Sequence, residues 1–142
     1  MELENFIGID VSKSSVDVAC YQEEQPVLCG KFENSQKGFD KMVRWIKMQT
    51  DCSLEKWLVC FEHIGVYGWS LGCYLSEKKI KYSVQSALHI KRSLGIQRGK
   101  NDNQDARAIA RFAYLHRKEI KLTTLPSKTL ISLRNLLSYR RH

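Results

Sequence analysis

Several features are scarce in this 142-residue sequence, and each shortage excludes something. There are two prolines and eight glycines, too few for a disordered or collagen-like chain. No apolar run approaches the roughly 18–20 residues of a bilayer crossing, so no membrane-spanning segment and no membrane partner are expected. The opening stretch MELENF carries two acids and has neither a basic nor an apolar region. A secretory signal is therefore not expected, and a cytoplasmic location is. Five cysteines, Cys20, Cys29, Cys52, Cys60 and Cys73, are odd in number and form no C-x-x-C pair. A disulfide framework or structural zinc site is a poor reading; small buried hydrophobes in a reducing compartment are the better one. No internal repeat is visible.

Acids are scarce in only one half. Residues 1–77 hold seven Lys/Arg and twelve Asp/Glu, a net of −5, whereas residues 78–142 hold sixteen and three, a net of +13. Solvated helix faces are the plain reading of such a basic half. A polyanionic partner is the sharper one, nucleic acid before an anionic membrane. Two of the three acids in the basic half, Asp102 and Asp105, lie three residues apart.

The length suits one compact domain with a core. Phe6 to Val11 reads as a buried strand holding a carboxylate near its end, Asp10. Ser12 to Ser15 is a tight polar turn, and Val16 to Tyr21 alternates as a hairpin partner. Val27 to Phe32 is a third strand. Phe39, Met42, Val43 and Ile46 recur at helical spacing after a cap at Asn34 or Ser35. Trp57 to Phe61 is another buried strand and runs into Glu62. A Gly65–Gly68 segment leads into a helix through Trp69, Leu71, Tyr74 and Leu75, and Ile80 to Val84 is a last short strand. Leu88, Ile90 and Leu94 read as helix, followed by a basic Gly95–Gly99 loop. A further helix carries Ala106, Ile109, Ala110, Ala113 and Tyr114. A final helix from Ser127 is still in full pattern at His142, which points to a piece of something longer. Three strands in a meander, then helix-linked strands, predict an α/β mixed five-stranded sheet with helices on both faces. That is the order of the ribonuclease H-like fold, here with a C-terminal helical extension.

Asp10 and Glu62 share a local grammar: four apolar or small residues, then a carboxylate. An ionised acid so bracketed is costly to bury without a cation or donors. In the expected topology the first and fourth strands are neighbours, so both acids converge at one end of the sheet. Asp102 and Asp105, at i and i+3, share one face of a helix turn and repel unless something positive sits between them. Each acid alone has a structural alternative: a strand-end cap, a surface acid, a helix cap with its first-turn acid. All four in positions consistent with one fold favour a site for hard divalent cations, Mg²⁺ or Mn²⁺. A pair of such ions about 3.5–4 Å apart can activate a nucleophile and stabilise a leaving oxygen in phosphoryl transfer.

Three segments, GIDVSK at 8–13, FEHIGVYG at 61–68 and KNDNQDARAIA at 100–110, resemble the N-terminal domain of the IS one-ten family of insertion-sequence transposases. These are bridge-RNA-guided recombinases related to the pilin-gene invertase Piv. The resemblance covers nearly the whole chain. It implies a RuvC-like catalytic domain over 1–117, with a linker and the start of a helical, coiled-coil-like segment over 118–142. It makes Asp10, Glu62, Asp102 and Asp105 a DEDD tetrad, both catalytic and metal-binding, holding two Mg²⁺ or Mn²⁺ ions. The implied activity is metal-dependent DNA strand cleavage and exchange guided by a structured RNA, with DNA and a bridge RNA as partners. Ile64 departs from the family, where a Thr commonly precedes the Gly. Family members also continue into a domain with a nucleophilic serine, which Ser127, Ser132 and Ser138 do not match. Residues 1–142 alone are therefore expected to be inactive or weakly nicking.

Lys13, Lys91, Arg92, Arg98 and Lys100 flank the acids and are candidate phosphate contacts, which set position without reading sequence. His63 is assigned a structural role, because strand neighbours point to opposite faces. Trp45, Trp57 and Trp69 are assigned to the core. The Leu130, Leu133, Leu137 stripe predicts a homo-oligomer, a dimer or higher. Two other readings stand beside the transposase: a nucleic-acid-binding fragment with structural acids, and an actin-like-fold kinase, which also opens on a G-I-D strand. The kinase lacks a second Gly-rich phosphate loop here.

Overall fold

The computed structural model describes residues 2–62, 65–86, 90 and 102–123, with 65 and 102–105 described as backbone. In chain order the elements are β1 (Asn5–Val11), β2 (Ser15–Tyr21), β3 (Leu28–Glu33), α1 (Gln36–Thr50), a 3₁₀ turn (Leu54–Lys56), β4 (Trp57–Glu62), a second 3₁₀ turn (Gly65–Gly68), α2 (Trp69–Glu77), β5 (Lys81–Gln85) and α3 (Asp102–Leu115). The five strands form one sheet in the order β3-β2-β1-β4-β5. β1, β2 and β3 pair antiparallel, while β4 pairs parallel to both β1 and β5. This is the mixed sheet expected from the element order, with β1 and β4 as neighbours.

Local chemistry explains the boundaries. β1 is covered on both faces and is apolar or small on both between Asn5 and Asp10, as suits a central strand. β3, at the sheet edge, is half-exposed along most of its length. α1 starts where the Ser35 side chain accepts a hydrogen bond from the Gly38 backbone N–H at 3.1 Å. It ends where Asp51 turns left-handed, φ 47°, and returns its N–H to the Lys47 carbonyl. The last turn of α1 is tied to β1 by Asn5 Nδ2 donating to Thr50 Oγ1 at 3.1 Å, both residues being buried.

Two layers of helix cover the sheet. On one face Ile7, Ile9, Val18 and Val59 pack against the α1 stripe Phe39, Met42, Val43, Ile46 and against Leu71, Tyr74 and Leu75 of α2. On the other, Phe6, Leu58 and Cys60 pack against Ile109, Phe112 and Ala113 of α3, with Ile90 buried beside them. The outer edge of β5 is closed by residues 121–123: Thr123 N–H donates to the Tyr82 carbonyl at 2.8 Å, and Val84 N–H to Thr123 Oγ1 at 3.0 Å.

Two assignments change. Trp57 is fully buried, but Trp69 is 40% exposed. The α2 stripe is Leu71, Tyr74, Leu75, at i, i+3, i+4, and Trp69 stands about 200° round the helix from Leu71. Of the cysteines, Cys20, Cys60 and Cys73 are buried, whereas Cys29 and Cys52 are half-buried; all five are free thiols. The helix through Leu88 and Leu94, the Gly95–Gly99 loop and the helix from Ser127 lie outside the described residues, Ile90 excepted. No helix among the described residues is long and apolar enough to cross a membrane.

Candidate active site

The α3 face of the sheet is graded along the strands. Pairing aligns Phe6 with Tyr21 and Leu58, a bulky row. Two residues further along β1, Gly8 lies level with Ala19 and Cys60, and these with Cys29 and Ser83, a row of small residues. Two further again, Asp10 pairs with Asp17, and Asp17 with Lys31. Glu62 pairs with Gln85. The β1–β4 register ends at Ile9↔Phe61, so Asp10 and Glu62 are the next residues of adjacent strands, which run about 4.8 Å apart. Side chains alternate along a strand, so Asp10 and Glu62 share the α3 face with Gly8 and Cys60. The result is a polar row, Gln85, Glu62, Asp10, Asp17, Lys31, at one end of an otherwise apolar surface.

α3 lies directly on the small row. A Cβ placed on Gly8 would sit 2.3 Å from both the Ala106 carbonyl oxygen and the Ala110 nitrogen. Glycine is needed here for backbone approach. The helix runs antiparallel to β1. Tyr114, near its C-terminus, meets the Phe6 ring edge-on with centroids 5.3 Å apart, Ala106 and Ala110 cross Gly8, and the first turn therefore stands at the level of Asp10. That turn contains Asp102 and Asp105. Asp102 precedes Ala106 by one turn and Asp105 precedes Ile109 by one turn. Ala106 and Ile109 are both buried against the sheet. Backbone topology thus brings the helix turn bearing two acids to the sheet end bearing the other two. Arg107 helps fix α3 laterally, its Nε donating to Cys29 Sγ at 3.3 Å.

Charge around the polar row is already felt. The Cys60 thiol is pushed up to about 12, first by burial and then by the negative charge of Glu62. Asp17 is 5% exposed, and Lys31 Nζ stands 3.9 Å from its Oδ1 as partial compensation. Lys13 lies exposed in the β1–β2 turn, three residues beyond Asp10. Lys91, Arg92, Arg98 and Lys100 lie outside the described residues, as does His63. Among residues whose side chains are described, no group of three or more His, Cys, Asp or Glu is gathered for a metal; of the four acids, the side chains described are those of Asp10 and Glu62.

Two residues near the site were not singled out from the sequence. Asp17 had a signal, since it alternates with apolar neighbours in VDVACY, but only the strand register puts it opposite Asp10. Of the two candidate caps of α1, Asn34 and Ser35, it is Ser35 that caps. The Asn34 side-chain Nδ2 instead donates to the Ser12 carbonyl at 2.8 Å and the Tyr67 carbonyl at 3.1 Å.

A family model for DEDD transposases of the IS110 type, described as transposase, matches residues 7–142. The chain belongs to that family. The kinase reading falls with this assignment. Its fold is similar to that of RuvC from Thermus thermophilus. A structure of that protein in complex with Holliday junction substrate superposes with a TM-score of 0.56 at 12% identity, over 82% of this chain and 98% of RuvC. A second RuvC structure from the same organism gives 0.51 at 13% identity, with the same coverage. Likeness at this identity is one of fold, and the fold is ribonuclease H-like. No curated protein matches the chain.

Proposed function

We propose that residues 1–117 form the metal-dependent catalytic domain of a DNA transposase, with Asp10, Glu62, Asp102 and Asp105 holding two divalent cations, Mg²⁺ or Mn²⁺. The observation that carries this reading is the convergence of β1, β4 and the first turn of α3 at one sheet end. The donor set fits: four carboxylates offer only hard oxygen ligands, which suit Mg²⁺ and Mn²⁺ rather than softer metals. Bound there, such ions would polarise a phosphate and stabilise the charge on the attacking and leaving oxygens as one P–O bond forms and another breaks.

The chain's own residues have separable tasks in this scheme. Asp10 and Glu62 are carried at the ends of neighbouring strands and supply one half of the site. Asp102 and Asp105 ride on α3, whose approach is set by Gly8. Lys13 in the β1–β2 turn, with Lys91, Arg92, Arg98 and Lys100 before α3, contacts the DNA backbone and sets its register. The +13 half of the chain supplies the sequence-independent part of the affinity. Guidance by a structured RNA, strand exchange rather than simple cleavage, assembly as a dimer or higher oligomer, and residence in the cytoplasm complete the proposal. They rest on the family and on the charge and leucine patterns. Residues 118–142 serve as linker and oligomerising helix.

The test is strand cleavage and joining by the complete transposase in Mg²⁺, with and without Asp102→Asn. Loss of activity with nucleic-acid binding retained is the expected result. Unchanged activity with tighter binding would instead mark the acids as structural and the domain as a binding module. Binding should weaken linearly on a log–log plot against salt, and a flat dependence would contradict the phosphate contacts.

A further inference from the structure

The β1–β4 ladder stops one residue short of the acids. Its last pair is Ile9↔Phe61, and Glu62 is the final residue of β4. The register between these two strands thus ends level with the residues just before Asp10 and Glu62. Beyond that point a side chain bridges the two chain segments. Asn34, between β3 and α1, donates from Nδ2 to the carbonyl of Ser12, two residues after Asp10, and to the carbonyl of Tyr67, in the 3₁₀ turn that follows Glu62. Its own backbone N–H donates to the Ser14 carbonyl at 3.0 Å. The turn it grips is already stiff: Ser12 N–H and Oγ both donate to the Ser15 carbonyl, at 2.8 and 2.9 Å.

We propose that Asn34 is a positioning residue: one side-chain amide ties the turn after Asp10 to the turn after Glu62, and so fixes the spacing of the two strand-borne carboxylates. The chemistry demands an amide. Both partners are carbonyl oxygens, so the group between them must donate twice, which an Asn NH₂ does and a carboxylate cannot. Asp has the same shape and no donor. The inference rests on the proposed cation site.

The experiment is a Mn²⁺ titration of the chain, free Mn²⁺ being read by electron paramagnetic resonance, for wild type, Asn34→Asp, Asn34→Ala and Asp10→Asn. Each is measured where its far-UV spectrum matches wild type, with melting in EDTA recorded separately. An added negative charge near a cation site would by itself tighten binding. The brace predicts the opposite: Asn34→Asp and Asn34→Ala should both weaken Mn²⁺ binding about 10-fold or more, the size seen when groups that orient metal ligands are removed. A purely structural Asn34 would lower only the melting temperature. Wild-type affinity in both Asn34 variants, with Asp10→Asn weakened, would overturn the brace and leave the cation site standing. Undiminished binding by Asp10→Asn would overturn the site reading and the brace with it.

Discussion

The two faces of the sheet are built on different rules. The face under α1 and α2 is apolar beyond the Asn5–Thr50 hydrogen bond at one end: Ile7, Ile9 and Val11 of β1 are all buried there, with Val16, Val18 and Cys20 beside them. The face under α3 changes along the same strands, from bulky at Phe6 to small at Gly8 to carboxylate at Asp10. One strand therefore serves two purposes with alternate residues. Its odd positions contribute hydrophobic burial. Its even positions bring a helix close and then present one acid, Asp10, at the level where that helix begins. The first face carries stability and the second carries the proposed site, and substitutions on the two should have separable consequences.

The largest expected effect is on the apolar face. Phe39→Ala should cost about 3–5 kcal/mol of stability, read by denaturant unfolding, with cation affinity per folded molecule unchanged. A comparable loss of affinity would mean the faces are not independent. Next is Asp10→Asn, expected to reduce Mn²⁺ affinity and metal-dependent cleavage about 100-fold or more, with unfolding in EDTA little changed. A paired glycine test follows. Gly8→Ala, whose Cβ meets α3 backbone at 2.3 Å, should cost about 1–3 kcal/mol and also weaken cation binding. Gly72→Ala in α2 meets nothing closer than the Tyr82 hydroxyl, at 3.8 Å, and should be neutral or stabilising by up to about 1 kcal/mol. Equal effects at the two glycines would contradict the close approach of α3.

The smallest effect is a pH dependence. Burial first, with a neighbouring negative charge, pushes Cys20 and Cys60 up to about 12 from 9.0. Above pH 9 the unfolded chain releases thiol protons that the folded chain retains. The stability from this source is therefore complete below pH 9 and declines as pH rises toward 12. Tyr74, also raised, by burial and by its 2.6 Å hydrogen bond to Asp40, adds to the decline above about pH 10. Cys60→Ala should flatten the slope of unfolding free energy between pH 8.5 and about 10.5 relative to wild type. An unchanged slope would remove Cys60 as a contributor.

Much of this was legible in the residues themselves. Period-2 alternation and short apolar runs located the strands, and Ser35 with the Phe39–Ile46 stripe located α1. Asp10 and Glu62 stood out because each ends an apolar run. What was not legible depends on register or on contacts between loops. Asp17 looks like any outward-facing strand residue until β2 pairs it with Asp10. Asn34 looks like a helix cap because the sequence does not show that two distant carbonyls meet beside it. Gly8 reads as ordinary strand glycine, and its necessity comes from a helix nearly a hundred residues later. Trp69 is large and apolar, but its helical phase relative to Leu71, Tyr74 and Leu75 points it outward.

The central claim, that the acids of β1, β4 and α3 make one cation site, is tested most directly by anomalous diffraction from crystals of the chain soaked in Mn²⁺. The expected result is a peak at the sheet end between Asp10, Glu62 and the first turn of α3, with ligand oxygens about 2.0–2.6 Å from the metal. Mn²⁺ ordered elsewhere on the chain while these four carboxylates stay unliganded at saturating concentration would contradict it.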